Sequence, residues 1–111
     1  YIGTGGAPEG VLAAAALKCM GGQMWGRLVF RNDDERGRAE KAGITDFDRV
    51  YSRDEMVTDQ VIFAATGVTD GNMLGGVRFL KNYLQTETVV MRSSSQTVRE
   101  IKARHQDMDK F

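Results

Sequence analysis

The sequence has little of three features that define common protein classes: cysteine, long hydrophobic runs and an excess of one charge. Cys19 is the one cysteine in 111 residues, so no internal disulfide can form, which excludes a small disulfide-held secreted domain and favours a reducing compartment. Fifteen Lys and Arg balance 15 Asp and Glu, and this disfavours a nucleic-acid partner. The longest apolar run, residues 11–17, is far shorter than the roughly 20 residues of a membrane span, and no basic segment precedes it. A membrane partner and a signal peptide are therefore not predicted.

The composition that remains is that of a globular domain. Hydrophobic residues make up 41% of the chain and charged residues 27%, which disfavours intrinsic disorder and coiled-coil arrays. The length corresponds to one domain or part of one. The first residue is Tyr1 rather than methionine, and a glycine-rich run follows at once. We therefore expect the chain to be the end part of a longer protein.

The predicted secondary structure begins with a helix over residues 11–20, where strong helix formers are followed by two glycines that end it. Residues 23–30 alternate in the manner of a strand, and residues 34–42 form a helix that Asn32 or Asp33 can cap. Ser52 with Glu55 has the spacing of a capping box at a further short turn.

The later segments are predicted to form strands. Residues 61–65 are a continuous apolar run, which is typical of a strand buried on both faces. Three more segments of strand composition follow at residues 77–80, 86–91 and 96–101. Because strands and helices alternate first and strands cluster later, we predict an α/β domain with a mixed sheet and no internal boundary.

The main functional signal is the first glycine loop, residues 3–10. Its glycines allow consecutive backbone N–H groups to point the same way, and Pro8 begins a helix whose free N–H groups and dipole attract anions. The dinucleotide pattern G-x-G-x-x-G fails because its third glycine would fall on Pro8, and a P-loop fails because Val11 follows Gly10. The loop therefore predicts an anion site of another type.

Glu9 has two interpretations from the residues alone. It can stabilise the helix simply as a carboxylate in the first turn. Beside a phosphate, however, a carboxylate is repelled unless a hard cation lies between them, and Mg²⁺ or Mn²⁺ is commonly held by one or two carboxylates together with phosphate oxygens. The second interpretation predicts metal-assisted phosphoryl chemistry, and the local sequence leaves both open.

Several separated motifs carry a family resemblance. They are the Gly-Gly-Ala-Pro-Glu-Gly motif with the alanine-rich helix that follows it, Met-Gly-Gly-Gln, Gly-Arg-Leu, Ala-Ala-Thr-Gly-Val-Thr-Asp-Gly and Val-Met-Arg-Ser. Together and in this order they resemble the C-terminal third of a class II fructose-1,6-bisphosphatase of the GlpX type. Thr4 departs from the pattern, since an apolar residue is expected there.

The resemblance implies a cytoplasmic enzyme of gluconeogenesis that hydrolyses the 1-phosphate of fructose 1,6-bisphosphate with Mn²⁺ or Mg²⁺. It implies the layered αβαβα fold of inositol monophosphatases and related sugar phosphatases, residues 1–111 forming the C-terminal, mixed-sheet portion. By the same resemblance Glu9 is a metal ligand and Gly6 contacts substrate. The other metal ligands and the catalytic acid and base lie upstream in the family. No catalytic residue is therefore predicted here, and the chain alone is expected to be inactive.

The partners expected from this interpretation are fructose 1,6-bisphosphate, the remainder of the same enzyme and further copies of it in a homo-oligomer. The alternative is a non-catalytic anion-binding or assembly module. Among other residues, His105 is predicted to be a plain surface residue and Cys19 a buried, inert thiol. The second glycine loop, residues 66–72, is either a structural turn or a contact to substrate.

Overall fold

The computed structural model describes residues 1–106, so the last part of the predicted domain, residues 107–111, lies outside the described residues. The elements within that range, in chain order, are α1 (Ala7–Met20), β1 (Trp25–Arg27), α2 (Asp33–Lys41), β2 (Val50–Ser52), α3 (Arg53–Met56), β3 (Ile62–Thr66), β4 (Arg78–Phe79), β5 (Leu84–Arg92) and β6 (Thr97–His105).

Helix α1 ends at Met20, as predicted, but it begins at Ala7, four residues before the predicted range of 11–20. Gly6 is the N-cap residue, and Pro8 lies in the first turn, where its missing N–H removes no helical hydrogen bond. Gly21 ends the helix in the left-handed conformation at φ 79°, which glycine adopts without strain. The buried residues of α1 are small, namely Ala14, Ala16 and Cys19, so the helix can approach the sheet closely.

The four-stranded sheet is built around β5. β3 and β4 pair with one side of β5 and β6 pairs with the other. All of these pairings are antiparallel, so the predicted mixed sheet is wrong for residues 1–106. Short turns join β4 to β5 and β5 to β6, and such turns reverse the chain, whereas a parallel pair needs a long crossover.

A smaller ribbon, β1 with β2, precedes this sheet. Its pairing joins Trp25 to Ser52 and Arg27 to Val50, so the strand predicted over residues 23–30 is shortened to three residues. The predicted caps are confirmed. The side chain of Asn32 caps α2, and Ser52 and Glu55 form a full capping box at the start of α3.

The hydrophobic core lies between α1 and one face of the large sheet. Its buried members are Ala16, Cys19, Val89 and Met91, and Phe63 is among the half-buried residues that pack against them.

Strand β3 is only half buried, contrary to the prediction that both of its faces are covered. Its residues alternate between exposed and half-buried, and Ile62 is 70% exposed. Helix α1 covers one face of the sheet, and no element among residues 1–106 covers the other face of β3 or pairs with its second edge.

The described residues are less compact than a typical domain of this length. Its radius of gyration is 18.0 Å, against about 13 Å for a compact domain of this length. Large apolar side chains are exposed in every part of it, among them Leu12, Trp25, Ile62, Phe79 and Ile101. No helix within residues 1–106 is long and apolar enough to cross a membrane.

Candidate functional site

The start of α1 brings Gly6 and Glu9 together. The carbonyl of Gly6 accepts the hydrogen bond of the Gly10 N–H at 3.0 Å, which closes the first turn of the helix. The side chain of Glu9, three residues after the N-cap, bends back over Gly6. A Cβ atom built on Gly6 would lie 3.1 Å from Cδ of Glu9 and would collide with its Oε2. The two residues predicted to form the site are thus in direct contact, and both are exposed.

The same helix start offers backbone donors to an anion. Gly6 has no side chain to cap the helix, so the N–H groups of the first turn that lack helical partners are left for another acceptor. These groups and the positive end of the helix dipole favour a phosphate oxygen. The Glu9 carboxylate lies beside them. The arrangement therefore suits a phosphate and a cation bound next to each other.

The start of α1 can provide one ligand of a metal site, the carboxylate of Glu9. Within residues 1–106, no three His, Cys, Asp or Glu side chains are grouped closely enough to hold a metal ion. Glu9 supplies one exposed carboxylate, the hard oxygen donor that Mg²⁺ and Mn²⁺ prefer. A metal bound here would require further ligands from a substrate phosphate and from other parts of an enzyme.

The second glycine loop is tied to the segment that follows it. The Gly76 N–H donates to Oδ1 of Asp70 at 2.8 Å, and the Val77 N–H donates to the Val68 carbonyl at 3.1 Å. A Cβ atom on Gly67 would collide with the backbone carbonyl of Gly75. These contacts give the loop a structural role. Its outer residues are nevertheless exposed, and a substrate contact there stays a prediction.

Helix α1 packs along β3, which leads into the second glycine loop. The Cys19 thiol donates to the carbonyl of Val61, just before β3, at 3.8 Å. From Cys19 back to Glu9 the helix rises about 15 Å, and from Val61 forward to Thr66 the strand rises about 17 Å. Leu74, which follows the second loop, packs against the core that contains α1. The packed face of α1 therefore extends from the start of β3 toward its end.

Two further predictions concern residues outside the site. Cys19 is fully buried and has no disulfide, as predicted. His105 is not a plain surface residue: it is half-buried, and its Nε2 lies 3.0 Å from Oγ1 of the buried Thr86. The position of His105 near the end of β6 explains the difference, because His105 pairs with Leu84, and Thr86 lies two residues further along β5 on the same face of the sheet.

The carboxyl groups with shifted pKa values lie away from the glycine loops. The Arg31 backbone N–H, at 2.8 Å, and then its guanidinium hold the pKa of Glu35 below its ordinary value. The Ser52 backbone N–H and then the Arg49 guanidinium lower the pKa of Glu55. Both shifts come from hydrogen bonds that stabilise helix starts, so they indicate structural roles.

A cleft of about 430 Å³ lies at the C-terminal end of α1. It is not predictable from the sequence, because its lining comes from four separated segments. Its two cationic residues already have protein partners. Lys18 Nζ donates to the Val57 carbonyl at 2.6 Å, and Arg53 donates to the Gly22 carbonyl and pairs with Asp54. These cations hold the end of α1 against α3.

The family model and the relatives that match this chain name the same kind of enzyme. The family model described as bacterial fructose-1,6-bisphosphatase, glpX-encoded, matches residues 1–105. The chain is 39% identical, over 94% of its length, to the D-fructose 1,6-bisphosphatase class 2/sedoheptulose 1,7-bisphosphatase of Synechococcus sp. (strain JA-3-3Ab), and 38% identical to the protein of the same name from Synechococcus elongatus (strain ATCC 33912 / PCC 7942 / FACHB-805). It spans 34% of the length of each of these relatives.

Proposed function

Because the chain belongs to the bacterial, glpX-encoded fructose-1,6-bisphosphatase family, we propose that it forms one wall of the active site of a sugar bisphosphatase. The reaction is hydrolysis of the 1-phosphate of fructose 1,6-bisphosphate to fructose 6-phosphate. The name of the two Synechococcus relatives supports sedoheptulose 1,7-bisphosphate as a second substrate. The observation that carries the proposal is the contact between Glu9 and Gly6 at the start of α1.

In this proposal Glu9 is a metal ligand and Gly6 lines the substrate site. A divalent ion held there, Mn²⁺ or Mg²⁺, would supply a Lewis acid for the phosphoryl group and would make a water molecule easier to deprotonate. The Glu9 carboxylate provides a negative oxygen at a fixed place beside the helix start. The backbone N–H groups of the first turn stabilise negative charge on the phosphate oxygens. Gly6 leaves the space that the Glu9 side chain and the substrate share.

The rest of the enzyme completes this site. We propose that residues 1–111 are the C-terminal portion of a cytoplasmic, homo-oligomeric enzyme of gluconeogenesis with the layered αβαβα fold. The family resemblance supports this, and so do the single carboxylate at the site and the openness of the described structure. The remaining metal ligands and the catalytic acid and base then come from the portion of the relatives that this chain does not span.

The test is a Glu9→Gln variant of the full-length enzyme, assayed with fructose 1,6-bisphosphate across a range of Mn²⁺ concentrations. We expect the Mn²⁺ concentration for half-maximal activity to rise by about tenfold or more, with a lower maximal rate. Glu40→Gln is the matched control, because Glu40 is an exposed glutamate on α2, away from the helix start. Unchanged metal dependence in Glu9→Gln would leave Glu9 as an ordinary first-turn carboxylate and favour the anion-binding module.

A further inference from the structure

Strand β3 has one free edge among the described residues. On its paired edge, the Ser93 N–H donates to the Val61 carbonyl and the Gly67 N–H donates to the Glu87 carbonyl. In an antiparallel pair, alternate residues bond to the partner strand. Residues 61, 63, 65 and 67 therefore bond toward β5. The backbone groups of Ile62, Ala64 and Thr66 point the other way, toward an edge that no strand of residues 1–106 occupies.

This edge lacks the features that normally keep an edge strand from pairing. Residues 61–65 include no charged residue, proline or glycine, and the register with β5 is continuous, without a bulge. The opposite edge of the sheet, β6, is different. It carries charged side chains along its length, including Arg99, Glu100 and Lys102, as an exposed edge does. The residues of the two edge strands therefore indicate that β6 is an outer strand and that a further strand can pair with β3.

Burial points to the same conclusion. A continuous apolar run such as residues 61–65 is typical of a strand covered on both faces, yet Ile62 is 70% exposed and Ala64 is also exposed. The side chains that point away from α1 therefore have no cover within residues 1–106.

We propose that a strand from the part of the full-length enzyme that this chain does not span pairs with the free edge of β3. The proposal rests on the proposed function, since it takes the chain to be a portion of the family's enzyme. Two observations identify the source of this strand. The relatives are about three times as long as the chain, so most of the enzyme lies outside it. The radius of gyration of 18.0 Å shows that the described residues do not form a compact domain by themselves. With that strand, β3 becomes an interior strand, and the second glycine loop at its end moves from the rim of the sheet to its interior.

Amide hydrogen exchange of the full-length enzyme, resolved to single residues, tests this pairing. We expect the Ile62 and Ala64 amides to exchange at least about 100-fold more slowly than unstructured amides. The Phe63 and Ala65 amides are the internal control, because they bond to β5 in either case. Protection of Phe63 and Ala65 with free exchange at Ile62 and Ala64 would overturn the proposal. Bisphosphatase activity of the same sample keeps this outcome separate from a failure of the proposed function.

A second copy of the enzyme could also pair with this edge, and dilution separates the two occupants. Protection of Ala64 that persists after the oligomer dissociates, as judged by light scattering, supports a strand from the same polypeptide. Protection that disappears with dissociation overturns the proposal and assigns the edge to another subunit.

An Ala64→Pro variant gives a second readout. Proline removes the N–H that points to the free edge, which an unpaired edge tolerates and an interior strand does not. We expect the unfolding midpoint of the full-length enzyme to fall by more than about 5 °C, or the enzyme not to accumulate. A midpoint equal to that of the parent enzyme would contradict the pairing.

Discussion

The carboxylate of Glu9 lies over Gly6, so closely that position 6 has no room for a β-carbon while the side chain of Glu9 keeps this rotamer. The contact connects the two residues of the first glycine loop that are proposed to act on metal and substrate. It makes the orientation of the carboxylate depend on the absence of a side chain three residues earlier.

The first prediction concerns this dependence. In the full-length enzyme, Gly6→Ala should displace the Glu9 carboxylate, because the added Cβ would collide with Oε2. The Mn²⁺ concentration for half-maximal activity should rise by about ten- to a hundredfold. Stability should change little, since position 6 has an extended backbone at φ −66° that alanine adopts.

Gly5→Ala is the matched control for that variant. A Cβ atom at Gly5 meets nothing within 4 Å, so the variant tests the effect of an extra methyl group in the same loop without touching Glu9. Equal effects of the two substitutions on metal dependence would contradict a specific role for the Gly6–Glu9 contact.

The second prediction concerns the second glycine loop. Gly67→Ala should destabilise the full-length enzyme by about 1–3 kcal/mol, because its Cβ would overlap the backbone carbonyl of Gly75, which cannot move without shifting the loop. Gly71→Ala should be nearly neutral, since its nearest atom would be the Leu74 carbonyl oxygen at 3.8 Å. Thermal unfolding of both variants measures the difference, and equal midpoints would refute it.

The third prediction concerns Cys19. Its thiol is fully buried and lies 3.8 Å from the Val61 carbonyl, so iodoacetamide should not modify it in the native enzyme. In denaturant it should react as a free thiol. Mass spectrometry of the peptide that contains Cys19 measures both rates. Fast labelling of the native enzyme would mean that α1 opens readily from the sheet.

The fourth prediction is a pH dependence at the capping box of α3. The Ser52 N–H and the Arg49 guanidinium lower the pKa of Glu55 below its ordinary 4.5. A carboxyl group with a lowered pKa stabilises the fold above its unfolded-state pKa, and the stabilisation disappears as the pH falls through the folded-state pKa. The unfolding midpoint of Glu55→Gln should therefore lie below that of the parent enzyme at pH 6, and the gap should narrow below pH 4.5. A gap that is constant with pH would contradict this account.

The features that depend on neighbouring residues are predictable from the sequence. Pro8 and Gly21 bound α1 because the conformations they allow are local properties, and Asn32 and Ser52 cap their helices for the same reason. The contact between Glu9 and Gly6 also has a local sequence signal. A glutamate three residues after an N-cap commonly reaches back toward it.

The remaining features depend on distant parts of the chain. The antiparallel register of β3 with β5 joins Phe63 to Met91, and no local pattern contains that pairing. The exposure of Ile62 was missed because an apolar run indicates that a strand is covered without indicating what covers it.

The central position of β5 also bears on the order in which the sheet assembles. Only residues 93–96 separate β5 from β6, and their pairing extends from Arg92 with Thr97 to Leu84 with His105. Contacts between residues near in sequence cost the least loop entropy, so we expect this hairpin to form first and to provide the template for β3. Helix α1, whose packing on β5 spans some 70 residues, then docks late. We therefore expect Glu9, which lies on this helix, to reach its final position relative to the sheet only after the sheet has formed.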